Sequence, residues 1–351
     1  MNALATRIAS LIQAQGPITV AQYMTQALHD PDYGYYAVGN PLGSDFVTAP
    51  EITQVFGELL GLWAAQCWHD QGKPTPARLA ELGPGRGTLM EDALRAASLM
   101  PEFCDAIEVV LVDSNPSLIA AQKETLEDAG IIRWCGRFED VGMDRPLFLI
   151  ANEFFDAMAV RQFVMTERGW CERMVTLDDT GELAFALSPD PTPLSLPDRG
   201  PAEPGAVYET SPACEALAEE IALAVVHQGG GALIIDYGYG AGAPFGETLQ
   251  ALGGSQFKEL LDSPGDNDLS AHVDFDMLAR VARDNGAAVY GPIGQGAFLE
   301  ALGARKRAEV LDYSCPGEAA SVERLISPDE MGVLFKVLAI LPKTAPRPPG
   351  F

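Results

Sequence analysis

Basic residues are scarce in this chain. Against 49 acids stand 23 lysines and arginines, which leaves a formal charge of −26 and a pI near 4.3. A chain so charged repels phosphate backbones, so a nucleic-acid role is disfavoured and basic partners, such as a protein segment that carries arginines, are favoured. Long apolar runs are also missing: none reaches the ~18 residues a membrane span requires, so no span is expected. The six cysteines, Cys67, Cys104, Cys135, Cys171, Cys214 and Cys315, form no C-x-x-C pair and no cluster with histidine. That pattern gives no zinc signal and suits a reducing compartment. There is no G-x-S-x-G elbow, which disfavours a serine hydrolase, and no internal repeat. The N-terminus lacks a signal-peptide core. Its first 29 residues hold no acid and one arginine, Arg7, and they read as folded structure rather than a targeting segment. From these absences the expected location is cytoplasmic.

What is present is a folded chain. Its 351 residues are 47% hydrophobic, enough for one large domain or two smaller ones. Leu4, Ile8, Leu11 and Ile12 recur at helical spacing over residues 2–15. Thr19 with Gln22 forms a capping-box pattern that opens a second helix through Leu28. After a glycine-rich loop at 39–44, Thr48, Pro50 and Glu51 read as a helix start. The helix that follows has Ile52, Val55, Phe56, Leu59, Leu60 and Trp63 on one face. Residues 1–70 are therefore expected to form a helical N-terminal extension.

Strands and helices alternate from about residue 77. ARLAEL, IEVVLVDS, IIRWC and PLFLIANE read as strands, and TLMEDALRAASLM and PSLIAAQKETLEDAG as helices, the second closed by Gly130. Near-continuous apolar strands between helices predict an α/β fold with a parallel sheet covered on both faces. Two segments, 71–156 and 206–351, are assigned to this core. Residues 157–205 break the alternation and read as an inserted β-hairpin turning at Glu167–Gly169, followed by a proline-rich surface loop. Residues 239–271 read as a second long loop, and the tail KTAPRPPGF as loose.

The strongest local signal is ELGPGRGTL, residues 81–89, between a strand and a helix. Gly83, Gly85 and Gly87, with Pro84 among them, allow a tight turn and close approach of backbone to a ligand at a helix N-terminus. Dinucleotide loops space their glycines G-x-G-x-x-G, whereas here the third comes one residue early. Glu81 precedes the first glycine by two, and a carboxylate there disfavours a pyrophosphate. It suits a ligand with an ammonium group, and S-adenosylmethionine carries one along with a sulfonium and a ribose. Asp113 ends the next strand, where a carboxylate accepts ribose hydroxyls in open α/β sheets; Ser114 follows it.

These features stand among longer matches. PDYGYY (31–36), GSDFVTAPEITQVFGE (43–58), ELGPGRGTLM (81–90), NEFFDAMAVRQF (152–163), LIIDYGY (233–239), SAHVDF (270–275), QGAFLEALG (295–303) and MGVLFKVL (331–338) resemble, in the same order, the motifs of the MidA-like methyltransferases. That family is related to the mitochondrial complex I assembly factor that acts as a protein-arginine methyltransferase. The resemblance implies a class I, Rossmann-like methyltransferase fold with seven strands, the last antiparallel. It implies S-adenosyl-L-methionine at Glu81, Gly83, Pro84, Gly85 and Gly87, and its ribose at Asp113 and Ser114. Glu139 and Asp140 are implied at the adenine. Family members often carry glutamate where this chain has Asp113.

Methyl transfer from a sulfonium needs no metal; it needs an aligned nucleophile and a dry site. If the nucleophile is an arginine, carboxylates gripping the guanidinium orient one nitrogen and stabilise charge. Glu153 and Asp156 are candidates for that grip, and the Asn152 carbonyl for an acceptor of a target N–H. Helix N-terminal chemistry is the competing explanation of the acids. His272 is a candidate proton acceptor or substrate contact, and Asp274 a helix cap. Asp45, Thr48 and Glu51 are placed near the substrate mouth, with capping equally able to explain the last two. The expected activity is methylation of an arginine on a protein partner, by family analogy a respiratory complex I subunit. The alternatives are methylation of another protein residue or a small molecule, or an assembly factor that keeps the fold without catalysis.

Overall fold

A computed structural model describes residues 1–38, 48–130, 132–194, 200–243 and 245–351. The loop 39–44, Asp45 and part of the proline-rich stretch lie outside the described residues. The chain divides into two compact units, one made of Met1–Phe46, Asp156–Cys214 and Gly240–His272, the other of Val47–Phe155, Glu215–Tyr239 and Val273–Phe351.

The larger unit is built on one sheet. Its strands are β1 (Ala77–Leu82), β2 (Ile107–Val112), β3 (Ile132–Cys135), β4 (Leu147–Asn152), β5 (Gly230–Tyr239), β6 (Ala288–Gly294) and β7 (Phe335–Leu341). They lie in the order β6-β7-β5-β4-β1-β2-β3, and the two-residue strand Val273–Asp274 adds to one end of β5. The pairs joining β5, β4, β1, β2 and β3 are parallel, and β7 runs antiparallel to both β5 and β6. The expected seven-stranded sheet with an antiparallel last strand is present. Every residue of β1 and β4 is buried, because the sheet is covered on both faces; this is why the strands read as unbroken apolar runs.

Helix α1 (Gln54–Asp70) packs against α2 (Thr88–Ala97) at very short range. A Cβ on Gly61 would lie 2.4 Å from the Ala93 carbonyl oxygen, and one on Gly57 2.7 Å from the Asp92 Cβ. The single helix expected to start at Thr48 is two pieces. A short turn of helix spans Ala49–Ile52, and Thr53, extended at φ −158°, caps α1 with its side chain. Thr48 makes no side-chain cap bond. The helix after β2 ends at Thr125 rather than at Gly130. The tail is docked rather than loose: the Phe351 ring packs 5.3 Å from that of Phe298.

The smaller unit joins parts that the sequence left separate. Ile18–Thr19 pairs antiparallel with Gly169–Leu177, which forms the expected hairpin with Arg161–Thr166. Leu4, Ile8, Ile12, Tyr23 and Met24 share a core with Val160, Val175, Leu249, Ala251 and Leu269. Residues 239–271 are not one long loop; Gln250–Gly253 pairs with both Gln256–Lys258 and Asp268–Ser270. The division therefore differs from the expected one. The first two helices group with the insertion because they bury their apolar faces there, while α1 belongs to the sheet.

Candidate active site

Parallel strands deliver their C-terminal ends to one edge of the sheet, and the sequence-predicted cofactor residues gather there. Glu81 pairs in register with Leu111 of β2 and Ile150 of β4. The loop that leaves β1 keeps Gly83, Gly85 and Gly87 at φ +61°, +56° and +89°, a left-handed backbone that favours glycine. Gly87 opens α2 as its N-cap, and its N–H donates to the Pro84 carbonyl at 2.7 Å. A Cβ on Gly83 would come within 2.8 Å of the Phe154 ring, so the first aromatic of NEFFD lies against the loop.

Glu81 is 3% exposed, and its Oε2 has no hydrogen-bond partner. Burial pushes its carboxyl up to about 8. A buried, unsatisfied carboxylate is costly unless a donor arrives, and a ligand ammonium is such a donor. At the end of β2, Asp113 Oδ1 accepts from the Asn115 backbone N–H at 2.8 Å and Oδ2 from Gln122 at 2.7 Å. Burial raises its carboxyl above the ordinary range, and those donors oppose the rise. Ser114 follows and is exposed. Glu139 and Asp140 sit exposed on a short 3-10 turn, Phe138–Val141, after β3.

The end of β4 is braced. The Glu153 backbone is left-handed at φ +49°, an unusual conformation for a residue with a side chain. Two bonds to β5 hold it: Glu153 N–H donates to the Ile235 carbonyl at 2.9 Å, and Phe155 N–H donates to Asp236 Oδ2 at 3.0 Å. Asp236 is fully buried, and its other oxygen accepts from the Tyr237 N–H. Residues 153–160, directly after β4, form bends and turns and no helix, so the acids there do not serve a helix of their own. Instead Glu153 Oε1 accepts from the Ala49 N–H and the Asn152 side chain, both at 3.2 Å. Asn152 Oδ1 is buried without a partner. Glu51 accepts from the Thr88 hydroxyl at 2.7 Å. The segment 48–53 is thus laced to the glycine loop's helix through Glu51 and to β4 through Ala49.

Asp156 and His272 fall in the smaller unit, where the Asp156 carbonyl accepts from Ala271, the residue before His272, at 3.0 Å. The His272 N–H donates to the Thr248 hydroxyl at 2.9 Å. Asp274 caps helix Phe275–Asp284 by accepting from the Met277 N–H. Sequence reasoning missed Asp236 and Gln122. Asp236 lies in the motif LIIDYGY, but a carboxylate bound to backbone amides leaves no periodic or spacing signal.

A glycine loop between β1 and α2, with acids at the ends of β1, β2 and β4, lies at one edge of a sheet with the strand order of a class I methyltransferase. The comparisons agree. Residues 59–293 match the model of a family of S-adenosyl-L-methionine-dependent methyltransferases. The mitochondrial protein arginine methyltransferase NDUFAF7 of Danio rerio is 36% identical over 95% of this chain and 86% of its own length. The Homo sapiens protein of that name is 35% identical over 94% and 81%. A Burkholderia thailandensis protein crystallised with S-adenosyl-homocysteine superposes with a TM-score of 0.84 at 29% identity, over 99% of this chain and 94% of that one.

This chain belongs to that methyltransferase family. It is an S-adenosyl-L-methionine-dependent methyltransferase. The cytoplasmic location expected from the sequence is overturned, since the arginine methyltransferase relatives are named as mitochondrial proteins. The error lay in the inference: lacking a secretory core excludes one route only and does not choose between interior compartments. Among the described residues no helix is long and apolar enough to cross a membrane.

Proposed function

We propose that this methyltransferase acts on an arginine side chain of a protein partner, and that the acceptor nitrogen is met at the end of β4. The observation that carries this reading is the buried Asn152 Oδ1, an acceptor lacking a donor, beside the Glu153 carboxylate. Removing a guanidinium proton outright at neutral pH costs roughly 7 kcal/mol. A neutral carbonyl and a carboxylate together offer something cheaper. They accept N–H bonds from the guanidinium, orient one nitrogen, and stabilise positive charge as the methyl arrives. The left-handed backbone at Glu153, braced by β5, fixes that pair before substrate binds. Glu153 also holds the first turn of Ala49–Ile52, so it has a structural share as well.

Glu81, Gly83, Pro84, Gly85 and Gly87 would hold the amino-acid half of S-adenosylmethionine, Asp113 and Ser114 its ribose, and Glu139 and Asp140 the adenine edge. The bound cofactor supplies an electrophilic methyl on a sulfonium. Asp156 and His272 are proposed as further acceptor contacts on sequence grounds. The acidic chain and the arginine methyltransferase names of its relatives support a basic protein substrate. Following the family resemblance, a respiratory complex I subunit is the first partner to test.

The test uses methyl-labelled cofactor, a set of basic proteins that includes complex I subunits, and mapping of the label by mass spectrometry. Label on arginine is expected; label on glutamine or lysine would reject the guanidinium argument. In the same assay Glu153→Gln should keep cofactor affinity within about threefold and lower turnover at least ~10-fold. Unchanged turnover removes Glu153 from the acceptor site.

A further inference from the structure

Gln122 is a fully buried polar side chain on the helix Pro116–Thr125, and its hydrogen bonds join three separate parts of the cofactor edge. Its Nε2 donates to the Gly85 carbonyl in the glycine loop at 2.9 Å and to Asp113 Oδ2 at the end of β2 at 2.7 Å. Its Oε1 accepts from the Trp134 indole N–H, on β3, at 2.9 Å. The packing is close: a Cβ on Gly87 would lie 3.5 Å from the Gln122 Cα.

The orientation of the carboxamide is dictated by chemistry. An indole N–H can only donate, so it must face the amide oxygen. The NH2 group is thereby turned toward the other two partners, both of which can only accept. A flipped amide would set NH2 against N–H and oxygen against oxygen at both remaining contacts. Trp134 thus fixes the amide, and the amide fixes Asp113. Oδ2 is engaged by Gln122 and Oδ1 by the Asn115 N–H, and the Ser114 N–H also bonds the carboxylate, so three donors fix how the group is presented to a ligand.

We propose that Gln122 is a positioning residue for the cofactor ribose: it locks the Asp113 carboxylate to the glycine loop and so aims it at the ribose hydroxyls. This rests on Asp113 being the ribose acid, and the experiment separates the two claims. Titration calorimetry on the full chain compares S-adenosylhomocysteine with its 2′-deoxyribose analogue, for wild type and for Gln122→Met, which keeps the volume and loses the donors. In wild type, loss of the hydroxyl should weaken binding about 10-fold or more, the size of a bond to a charged acceptor. In Gln122→Met, S-adenosylhomocysteine should bind about 10-fold more weakly, and loss of the hydroxyl should cost less than about 3-fold. That coupling is what simple loosening of the fold does not produce.

Wild-type affinity in the variant, or weaker affinity with the full hydroxyl penalty retained, makes Gln122 a packing residue and overturns the proposal. A wild type indifferent to the hydroxyl overturns the ribose reading of Asp113 and this proposal with it. Should Gln122→Met not fold, Trp134→Phe runs the same cycle by freeing the amide to flip. A reduced hydroxyl penalty is expected there, and a full one overturns the proposal.

Discussion

At the scale of the residue, Glu81 is the most sensitive group in the site. Its carboxyl stands near 8 in the folded chain because burial disfavours the charge. A carboxyl raised on folding binds its proton more tightly in the native state. The native state is therefore penalised as pH rises from about 4.5, the ordinary value, to about 8, and the penalty is constant above that. The loss across that window is on the order of 5 kcal/mol. Glu81→Gln should flatten the decline in thermal stability over this range and raise the melting temperature at alkaline pH, while weakening S-adenosylhomocysteine binding at least ~10-fold. A variant whose stability falls with pH as steeply as the wild type would mean that Glu81 is ionised in the free chain. That Glu81, the three glycines and Asp113 stand at strand ends could be read from the sequence because local spacing carries their place. The turn at Glu153 could not. Nothing in NEFFD announces a positive φ, which arises from two bonds to a strand some eighty residues later.

At the scale of the element, the contact of α1 with α2 sets where the glycine loop ends. The two glycines on α1 let it lie against the α2 backbone, and α2 begins at the loop's last glycine. Gly61→Ala improves helix propensity by about 1 kcal/mol, yet its methyl has backbone 2.4 Å away that cannot swing aside. The clash should win, with a net loss of about 2 kcal/mol, read as a lower urea midpoint at unchanged slope. A neutral outcome would show that the helices part freely. The near-continuous apolar strands made the sheet legible, since burial on both faces writes itself into each run. The helix break at Thr53 was hidden, because Thr48-Ala-Pro-Glu is equally good start chemistry. So was the small unit's assembly. A two-residue strand such as Ile18–Thr19 has no period to detect, yet its pairing with Val175 and Met174 and the core shared with Val160 and Val175 tie the first helices to the insertion.

At the scale of the whole molecule, the charge of −26 bears on encounter rather than on fold. Raising salt from about 50 to about 300 mM should increase KM for a basic protein substrate several-fold through screening. The affinity for S-adenosylhomocysteine should change by less than about twofold; a salt-insensitive KM would argue for a neutral acceptor. Chain order and strand order disagree at one place, and this bears on synthesis. β7 is the last strand of the sheet to leave the ribosome, yet it lies between β5 and β6. Until Phe335–Leu341 emerges, β5 presents an apolar edge with open backbone groups from Ala232 to Tyr237, and β6 has no strand to pair with. A nascent chain stalled before that point is a sheet with a slot in it, apt for capture by another strand or by a chaperone. A chain truncated there is expected to aggregate rather than fold as a smaller methyltransferase.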